Sequence, residues 1–429
     1  MKDIQYDAAV IGGGAAGMAA ALELEANGFS CAIIDREDHL GGILMQCIHN
    51  GFGLHEFSEE LTGPEFAGRF IERVLKSNID VYLNATVTQF SGDMGSGNRE
   101  QGIFKEIVCV SPDGVMRIRS RAVVLAMGCR ERNRGNIRIP GSRPAGVFTA
   151  GLAQRLVNIE GWIPGKEIVI IGSGDIGLIM ARRLTWVGCT VKAVIEIMPY
   201  PSGLTRNVVQ CLNDNNIPLY LSCQTTAIYG NDRVEGIELT PLENGIPAPE
   251  KRFRINCDTV LLSVGLVPEN ELSKAAGVEL NNATGGPLVD SRLMTTIDGV
   301  FACGNVLHVH DLVDWVSRES GMAGRYAAEW LRGGKPDAYR HIAQIRVKAG
   351  SNVRYVNPSQ IDPRRDNQVY LRSLVVKNNA VLELKLDNRV IRSIKKSHIQ
   401  PSEMIDLIVG QNDFPGEPGR DSVLEFSIG

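Results

Sequence analysis

The sequence has no excess of basic charge: 45 Lys and Arg stand against 49 Asp and Glu, a net of −4. Nothing in that balance draws in a polyanion, so neither nucleic acid nor an anionic lipid surface is an expected partner. Long apolar runs are also missing. No stretch reaches the roughly 20 residues that cross a bilayer, so no transmembrane segment is expected, and the chain enters a strand at Tyr6 with no room for a signal peptide. A cytoplasmic location follows as the expectation. Cysteines are present but never paired. The nine, at 31, 47, 109, 129, 189, 211, 223, 257 and 303, stand singly with no Cys-x-x-Cys among them. That spacing argues against a disulfide framework, a zinc site or an iron–sulfur cluster supplied by this chain alone, so no metal centre is expected.

What is present is glycine at ordered positions. Asp7-Ala-Ala-Val-Ile11 is a buried-strand run, Gly12-Gly-Gly14-Ala-Ala-Gly17 turns into the helix Met18 to Ala26, and Ser30 to Asp35 is strand again. The same grammar recurs at Glu167 to Ile171, Gly172-Ser-Gly174-Asp-Ile-Gly177, a helix through Leu184, and the strand Thr190 to Glu196. Two βαβ units mean two nucleotide folds. Between them the spacing predicts an amphipathic helix over Leu61 to Leu75, short alternating strands around Val81 to Phe90 and Phe104 to Val110, and a polar hairpin tip over Ser91 to Gln101. Arg121 to Met127, Thr259 to Gly265 and Gly299 to Gly304 each read as a buried strand ending in glycine, and Leu312 to Leu331 as a helix. Arg332-Gly-Gly-Lys-Pro336 marks a linker. Beyond it come short β-branched runs, Gln368 to Val376, Ala380 to Leu386, Arg389 to Ile394 and Ser422 to Ser427, with turns expected at Asn378-Asn379 and Asp387-Asn388.

A lone G-x-G-x-x-G is weak evidence, but Gly12, Gly14 and Gly17 follow a strand, open a helix, and are answered by Asp35 at the end of the next strand. Gly12 permits the tight turn, Gly14 lets a pyrophosphate reach the helix N-terminus, and Gly17 lets helix and strand pack closely. Asp35 would accept the ribose hydroxyls of an adenosine half. In the second copy Gly172, Gly174 and Gly177 are answered by Glu196. A carboxylate there bonds a free 2′-hydroxyl and repels a 2′-phosphate, which favours NADH over NADPH. Arg182, Arg183 and Arg206 nearby leave a phosphate-binding alternative open.

From Tyr6 to Leu331 the pattern resembles the pyridine-nucleotide-dependent flavoproteins that include thioredoxin reductases. The resemblance is carried by both fingerprints, Ala126-Met-Gly128, Ser263-Val-Gly265 and Asp298-Gly-Val-Phe-Ala-Cys-Gly304-Asn305. It implies FAD at the first fingerprint and NAD(H) at the second. It also implies an α/β fold with two Rossmann-like, three-layer ββα nucleotide-binding domains, the NAD domain inserted in the FAD domain, plus a small mostly-β C-terminal domain. The expected segments are 1–150 and 269–335 for FAD, 151–268 for NAD(P), and 340–429 for the β domain. Implied cofactor contacts are Gly12, Gly14, Ala15, Ala16, Gly17, Asp35, Arg36, Gly42, Val87, Ala126, Gly128, Gly304 and Asn305 for FAD, with Gly172, Gly174, Asp175, Ile176, Gly177, Glu196 and Gly265 for NAD. The family's last segment ends in Gly-Asp, whose carboxylate bonds the ribityl chain; Asn305 keeps the hydrogen-bonding capacity and loses the charge. The helix start near Trp315 and Val316 would point at the pyrimidine edge of the flavin. His308, His310, Asp311 and Asp314 fall in that turn, where they either tune the flavin or cap the helix.

Thioredoxin reductases carry Cys-x-x-Cys in the nicotinamide domain and glutathione-reductase-like enzymes a pair after the first βαβ unit; neither is here. Cys47 with His49 stands at the latter place, as a reactive thiolate beside the flavin or as an inert buried cysteine. Cys47, His49 and His310 are the catalytic candidates. Gly41-Gly-Ile-Leu-Met-Gln-Cys-Ile-His-Asn-Gly-Phe-Gly-Leu54, Leu61-Thr-Gly-Pro-Glu65, Asn305 to Val316 and Pro401-Ser-Glu-Met404 resemble the flavoprotein found alongside anaerobic-type glycerol-3-phosphate dehydrogenases. That implies a NADH-linked FAD subunit exchanging electrons with a partner flavoprotein such as that dehydrogenase, and an oligomer. The chain is also similar to α subunits of amino-acid and opine dehydrogenases, without their cysteine-rich cluster segment. Two other readings remain: direct flavin oxidation of a small amine or hydroxy acid, anchored by Arg130, Arg132, His49 or His310, and a non-catalytic assembly subunit.

Overall fold

The computed structural model describes residues 2–91, 104–333, 344–419 and 421–429. Two compact units result, one of Met1–Met45, Asn50–Cys129 and Pro268–Gly429, the other of Gln46–His49 and Arg130–Val267. The predicted hairpin tip over Ser91 to Gln101 and the linker residues from Gly334 fall almost entirely outside the described residues.

In the first unit, strands Asp80–Tyr82, Cys31–Ile34, Lys2–Ile11 and Gly114–Leu125 lie side by side and parallel, extended by antiparallel Lys105–Ser111 and Thr86–Ser91. Val300–Ala302 joins the carboxyl half of Gly114–Leu125, in parallel. Register then levels the strand ends: Ile11 and Ala302 both stand opposite Leu125. Ligands of such sheets bind in the crevice beyond the carboxyl ends, and the levelled ends of these strands leave a crevice of that kind here. Helices Ala15–Ala26 and Val313–Gly333 pack on each other through small residues, where a Cβ on Gly324 would stand 2.4 Å from the Ala20 carbonyl oxygen. Gly63–Leu75 starts with a capping box between Thr62 and Glu65, worth about 1 kcal/mol, and buries Phe66, Ala67, Phe70 and Val74 on one stripe.

The second unit repeats the plan, with all five strands parallel: Val147–Thr149, Thr259–Leu262, Glu167–Ile171, Thr190–Ile195 and Leu219–Tyr220. Helix Asp175–Trp186 follows its glycine turn. An antiparallel layer built on Cys223–Gly230 and Val234–Glu243 packs beside it.

The β appendage belongs to the first unit. Its five-stranded sheet runs Gln360–Ile361, Ile345–Ala349, Val423–Ile428, Lys377–Leu386, Arg389–Ile399, and a three-stranded sheet runs Val353–Asn357, Asn367–Ser373, Met404–Val409. Asp387 and Asn388 both take positive φ, 47° and 68°, and make the expected tight turn. Asn378-Asn379 does not turn. It sits inside Lys377–Leu386, opposite His398 and its neighbours, while the bend falls earlier at Leu374 and Val375, where the Ser373 hydroxyl donates to the Val375 carbonyl and accepts from its N–H.

Candidate functional site

The first crevice is built from contacts that only glycine allows. A Cβ on Gly12, whose φ is +108°, would stand 2.4 Å from the Ala126 carbonyl oxygen, and one on Gly17 would stand 1.8 Å from the Gly12 oxygen. Gly14 differs, because a Cβ there meets nothing within 4 Å. It is the N-cap of Ala15–Ala26 and brings no side-chain cap, so no cap side chain takes the first amides of that helix, at Ala15, Ala16 and Gly17. This cradle fits a pyrophosphate. Asp35, buried at the end of Cys31–Ile34, accepts from the Gly13 N–H and, at 2.8 Å, from the Glu37 N–H. Arg36 beside it is exposed and 3.9 Å from Glu37. Gly42 closes on the fingerprint from the other side, its Cβ position 3.2 Å from the Gly14 Cα. The Ala85 N–H bonds the Asp35 carbonyl at 2.8 Å, and Val87, two residues on, pairs with Cys109 in the sheet. Gly128 has φ +71° and free space at its Cβ position.

Asn305 turns inward: its Oδ1 accepts from the His310 N–H at 3.0 Å and its Nδ2 donates to Cys129 Sγ at 3.6 Å. Trp315 stacks on His55 with centroids 5.1 Å apart, and Val316 packs at Gly304. Asp314 is buried and holds the backbone amides of Gly53, His55 and Glu56. Asp311 pairs with Arg372 and accepts from Met404 N–H at 2.7 Å. Both aspartates therefore tie loops. His308 and His310 instead converge on Glu319, which, like Tyr370 and Arg372, sequence reasoning missed, while Tyr355, a candidate for a docking surface from the sequence, is buried beside them. The available signals were a carboxylate on the small-residue face of the last helix and a lone arginine inside an apolar strand run.

The second site has its own glycine clearances. A Cβ on Gly172 would stand 2.1 Å from the Ser263 carbonyl oxygen, and one on Gly177 would stand 2.6 Å from Ser263 Cβ. Gly174 caps Asp175–Trp186 without a side-chain bond. Glu196 is 4% exposed and accepts from Ser173 N–H (3.1 Å), Ser173 Oγ (2.5 Å), Ser202 Oγ (2.7 Å) and Met198 N–H (2.9 Å). The serines fix its rotamer, and neither was picked out from sequence. Asp175 holds Leu204 N–H and Asn207 Nδ2 at 2.9 and 2.6 Å, while Ile176 packs into the core. Gly265 takes φ +98° near Arg132. Of the nearby arginines, Arg182 lies over Trp186 and Arg183 donates to Asn158 Oδ1 at 3.0 Å, which leaves the exposed Arg206.

Cys47 belongs to the second unit, where its thiol donates to Gln154 Oε1 at 3.6 Å. Burial pushes that thiol up to about 12. That burial favours a neutral donor over a thiolate at Cys47. Iodoacetamide labelling followed by mass spectrometry at neutral pH should be at least ~100-fold slower at Cys47 in the folded chain than in urea; equal rates would restore the reactive reading. His49 lies half-buried two residues on. All nine cysteines are free, and among the described residues no helix is long and apolar enough to cross a membrane.

A family model described as "Pyridine nucleotide-disulphide oxidoreductase" matches residues 6–330, and the chain belongs to that family. Members of that family are NAD(P)H-dependent flavoprotein oxidoreductases that use FAD and NAD(P)H. Among curated proteins it is similar to one of the subunits of opine oxidase from Agrobacterium tumefaciens, 28% identical over 348 residues, covering 76% of this chain and 63% of that protein. It is 27% identical to the NADH dehydrogenase of Ferdinandcohnia aciditolerans, covering 70% of this chain and 52% of that one. The chain thus spans between half and two thirds of the length of these relatives. Among solved structures the fold matches T. acidophilum thioredoxin reductase (TM-score 0.60, 24% identity, 76% of this chain and 98% of that chain). It also matches the NAD-dependent persulfide reductase of A. fulgidus (TM-score 0.57, 19% identity, 90% and 68%).

Proposed function

We propose that this chain binds FAD in the crevice of Gly12–Gly17, Ala126, Gly128 and Gly304, binds NADH at Gly172–Gly177, and passes electrons to or from a partner protein. The observation that carries the reading is the repeated pair of helix starts, at Gly14 and Gly174, each with its glycine clearances and an answering carboxylate. Bound FAD supplies the two-electron exchange with NADH. The chain's own residues orient and select. The amides of Ala15–Gly17 hold one diphosphate, Asp35 the adenosine ribose, and Glu196 the ribose of NADH with its 2′-hydroxyl free. Because every cysteine is single and Cys47 is held neutral, electrons leave for a separate acceptor rather than an internal dithiol. The strings from Gly41 to Leu54 and Asn305 to Val316 nominate a glycerol-3-phosphate dehydrogenase as that partner.

The test is anaerobic mixing of the purified, FAD-loaded chain with NADH. Bleaching of the flavin within the turnover time, and faster NADH oxidation when the dehydrogenase is added, are expected; a flavin untouched by NADH would sink the proposal. Glu196→Gln keeps a hydrogen-bonding side chain and removes the repulsion of a 2′-phosphate. The ratio of kcat/KM for NADPH over NADH should therefore rise roughly tenfold, and an unchanged ratio would remove Glu196 from the ribose. The similarity to an opine oxidase favours a second reading, direct oxidation of an amine. Its mark is bleaching by the amine with no nicotinamide present.

A further inference from the structure

His308, His310 and Glu319 are buried as a group, their side chains 0–1% exposed. Each carboxylate oxygen has its own imidazole, Oε2 with His308 Nε2 at 2.8 Å and Oε1 with His310 Nε2 at 3.2 Å. Oε1 also accepts the Gly304 N–H at 2.7 Å. The two rings stand 4.3 Å apart. Tyr370 of the β appendage closes over both, at 5.2 and 5.5 Å, and Tyr355 over His308 at 6.0 Å.

Spacing alone would suit a metal ion, since the three donor atoms lie within 4.8 Å of one another. A metal-bound imidazole, however, donates its other ring N–H to an acceptor, and both Nδ1 atoms are buried with no partner among the described residues. The cation these groups can take is a proton. The facing groups set how many. Arg372 and Asp311 cancel as an ion pair; Cys303 faces Glu319, and Arg318 and Asp406 act on Tyr370 from opposite signs. Glu319 is left as one negative charge, which a first proton neutralises, while a second would set like charges 4.3 Å apart. Consistent with that limit, burial and then the neighbouring His310 push His308 down to about 4. Burial would raise the Glu319 carboxyl, yet the two imidazoles hold it below the usual carboxylate range.

The group adjoins the first crevice. Gly304, whose N–H it holds, has φ +70° and presses on helix Ala15–Ala26, a Cβ there standing 2.9 Å from Ala16 Cβ. We propose that His308, His310 and Glu319 are a redox-linked proton site: one proton settles on the imidazole pair when electrons enter FAD in the adjacent crevice and returns to solvent when they leave. This rests on the reading that FAD occupies that crevice. The hydride of NADH brings two electrons and one proton, leaving one added negative charge on the cofactor and NAD+ behind. The proton taken from water by the pair balances that charge. A unit charge about 10 Å away at an effective dielectric near 20 changes proton affinity roughly tenfold, enough to shift occupancy. The three residues touch no substrate and act as positioning residues for charge, with Tyr370 excluding water above them.

The experiment uses the FAD-loaded chain, its flavin content verified first, reduced photochemically so that NADH plays no part. Proton uptake is read with an indicator dye in weak buffer, and the midpoint potential is followed against pH. After allowance for protons released by the photochemical donor, about two protons per flavin are expected in the wild type near neutral pH, one on the reduced flavin itself, which no hydride supplies here, and one on the imidazole pair; in Glu319→Gln uptake falls to about the first alone and the potential depends less on pH. Should Glu319→Gln fail to fold, imidazole 15N signals of the wild type decide: protonation of His308 or His310 on reduction supports the site, and unchanged signals overturn it. Wild-type uptake in a folded Glu319→Gln also overturns it. A chain that binds no FAD removes the crevice reading and this one together, and is recognised from flavin content alone.

Discussion

The Gly17→Ala variant should purify without FAD. Its added methyl would stand 1.8 Å from the Gly12 carbonyl oxygen, 2.9 Å from the carbon of that carbonyl and 3.2 Å from Val10 Cγ1. Two of the three obstacles are backbone, so no rotamer relieves the clash and the turn itself must move. A shift of that kind costs about 3 kcal/mol, and it swings away the amides of Ala15 and Ala16 that the diphosphate needs. Flavin content per chain should fall at least ~10-fold, the change that 1.4 kcal/mol already produces, while NADH binding by the second unit persists. Gly14→Ala supplies the control. Nothing lies within 4 Å of its Cβ position and its φ is −75°, so the fold should be as stable as before while FAD binds more weakly. Undiminished FAD in both variants, by absorbance of the purified protein, would place the diphosphate elsewhere.

Replacement of Arg372 by alanine should be the most destabilising single change in the β appendage. Arg372 is 9% exposed, and its guanidinium donates to Asp311, to the carbonyls of Val309 (3.0 Å), Pro401 (3.2 Å) and Ser402 (2.9 Å), and to Tyr355 Oη (3.2 Å). Removing it leaves the half-buried Asp311 carboxylate with the Met404 N–H and no cation. Breaking one side of such a pair costs about 3–5 kcal/mol. Urea denaturation should show that loss, and the double variant Asp311→Asn with Arg372→Met should recover part of it. If the single variant lost less than about 1 kcal/mol, the pair would be no more than a surface contact.

The nucleotide folds were legible because their signals are local. Gly12, Gly17, Gly172 and Gly177 stand where a Cβ would strike backbone or the Ser263 side chain, and a fixed spacing reveals that. The same holds for the Thr62–Glu65 capping box and the Asp387-Asn388 turn. The buried cluster was half visible. His308 and His310 announce themselves two residues apart, whereas Glu319 comes one helix later and Tyr355, Tyr370 and Arg372 arrive only through tertiary pairing of the β appendage. The Asn378-Asn379 pair misled because asparagine tolerates positive φ, as Asn379 does at 51°, without leaving its strand. Strands Ile345–Ala349 and Val353–Asn357 were missed for their brevity; the first alternates apolar and polar residues, Ile345-Arg-Val-Lys-Ala349, and was readable, whereas the second does not alternate.

In the five-stranded sheet of the appendage, Val423–Ile428 runs parallel to Ile345–Ala349 and antiparallel to Lys377–Leu386 on its other side. A central strand so distant in sequence from its neighbours gives high contact order, and closure of so long a loop slows folding. The nucleotide turns, assembled from nearby residues, should therefore form first. Tyr355 and Tyr370 stand on the three-stranded sheet of the same appendage, whose strand Val353–Asn357 follows directly on Ile345–Ala349, so the cover over the histidines forms with the appendage and not with the nucleotide turns.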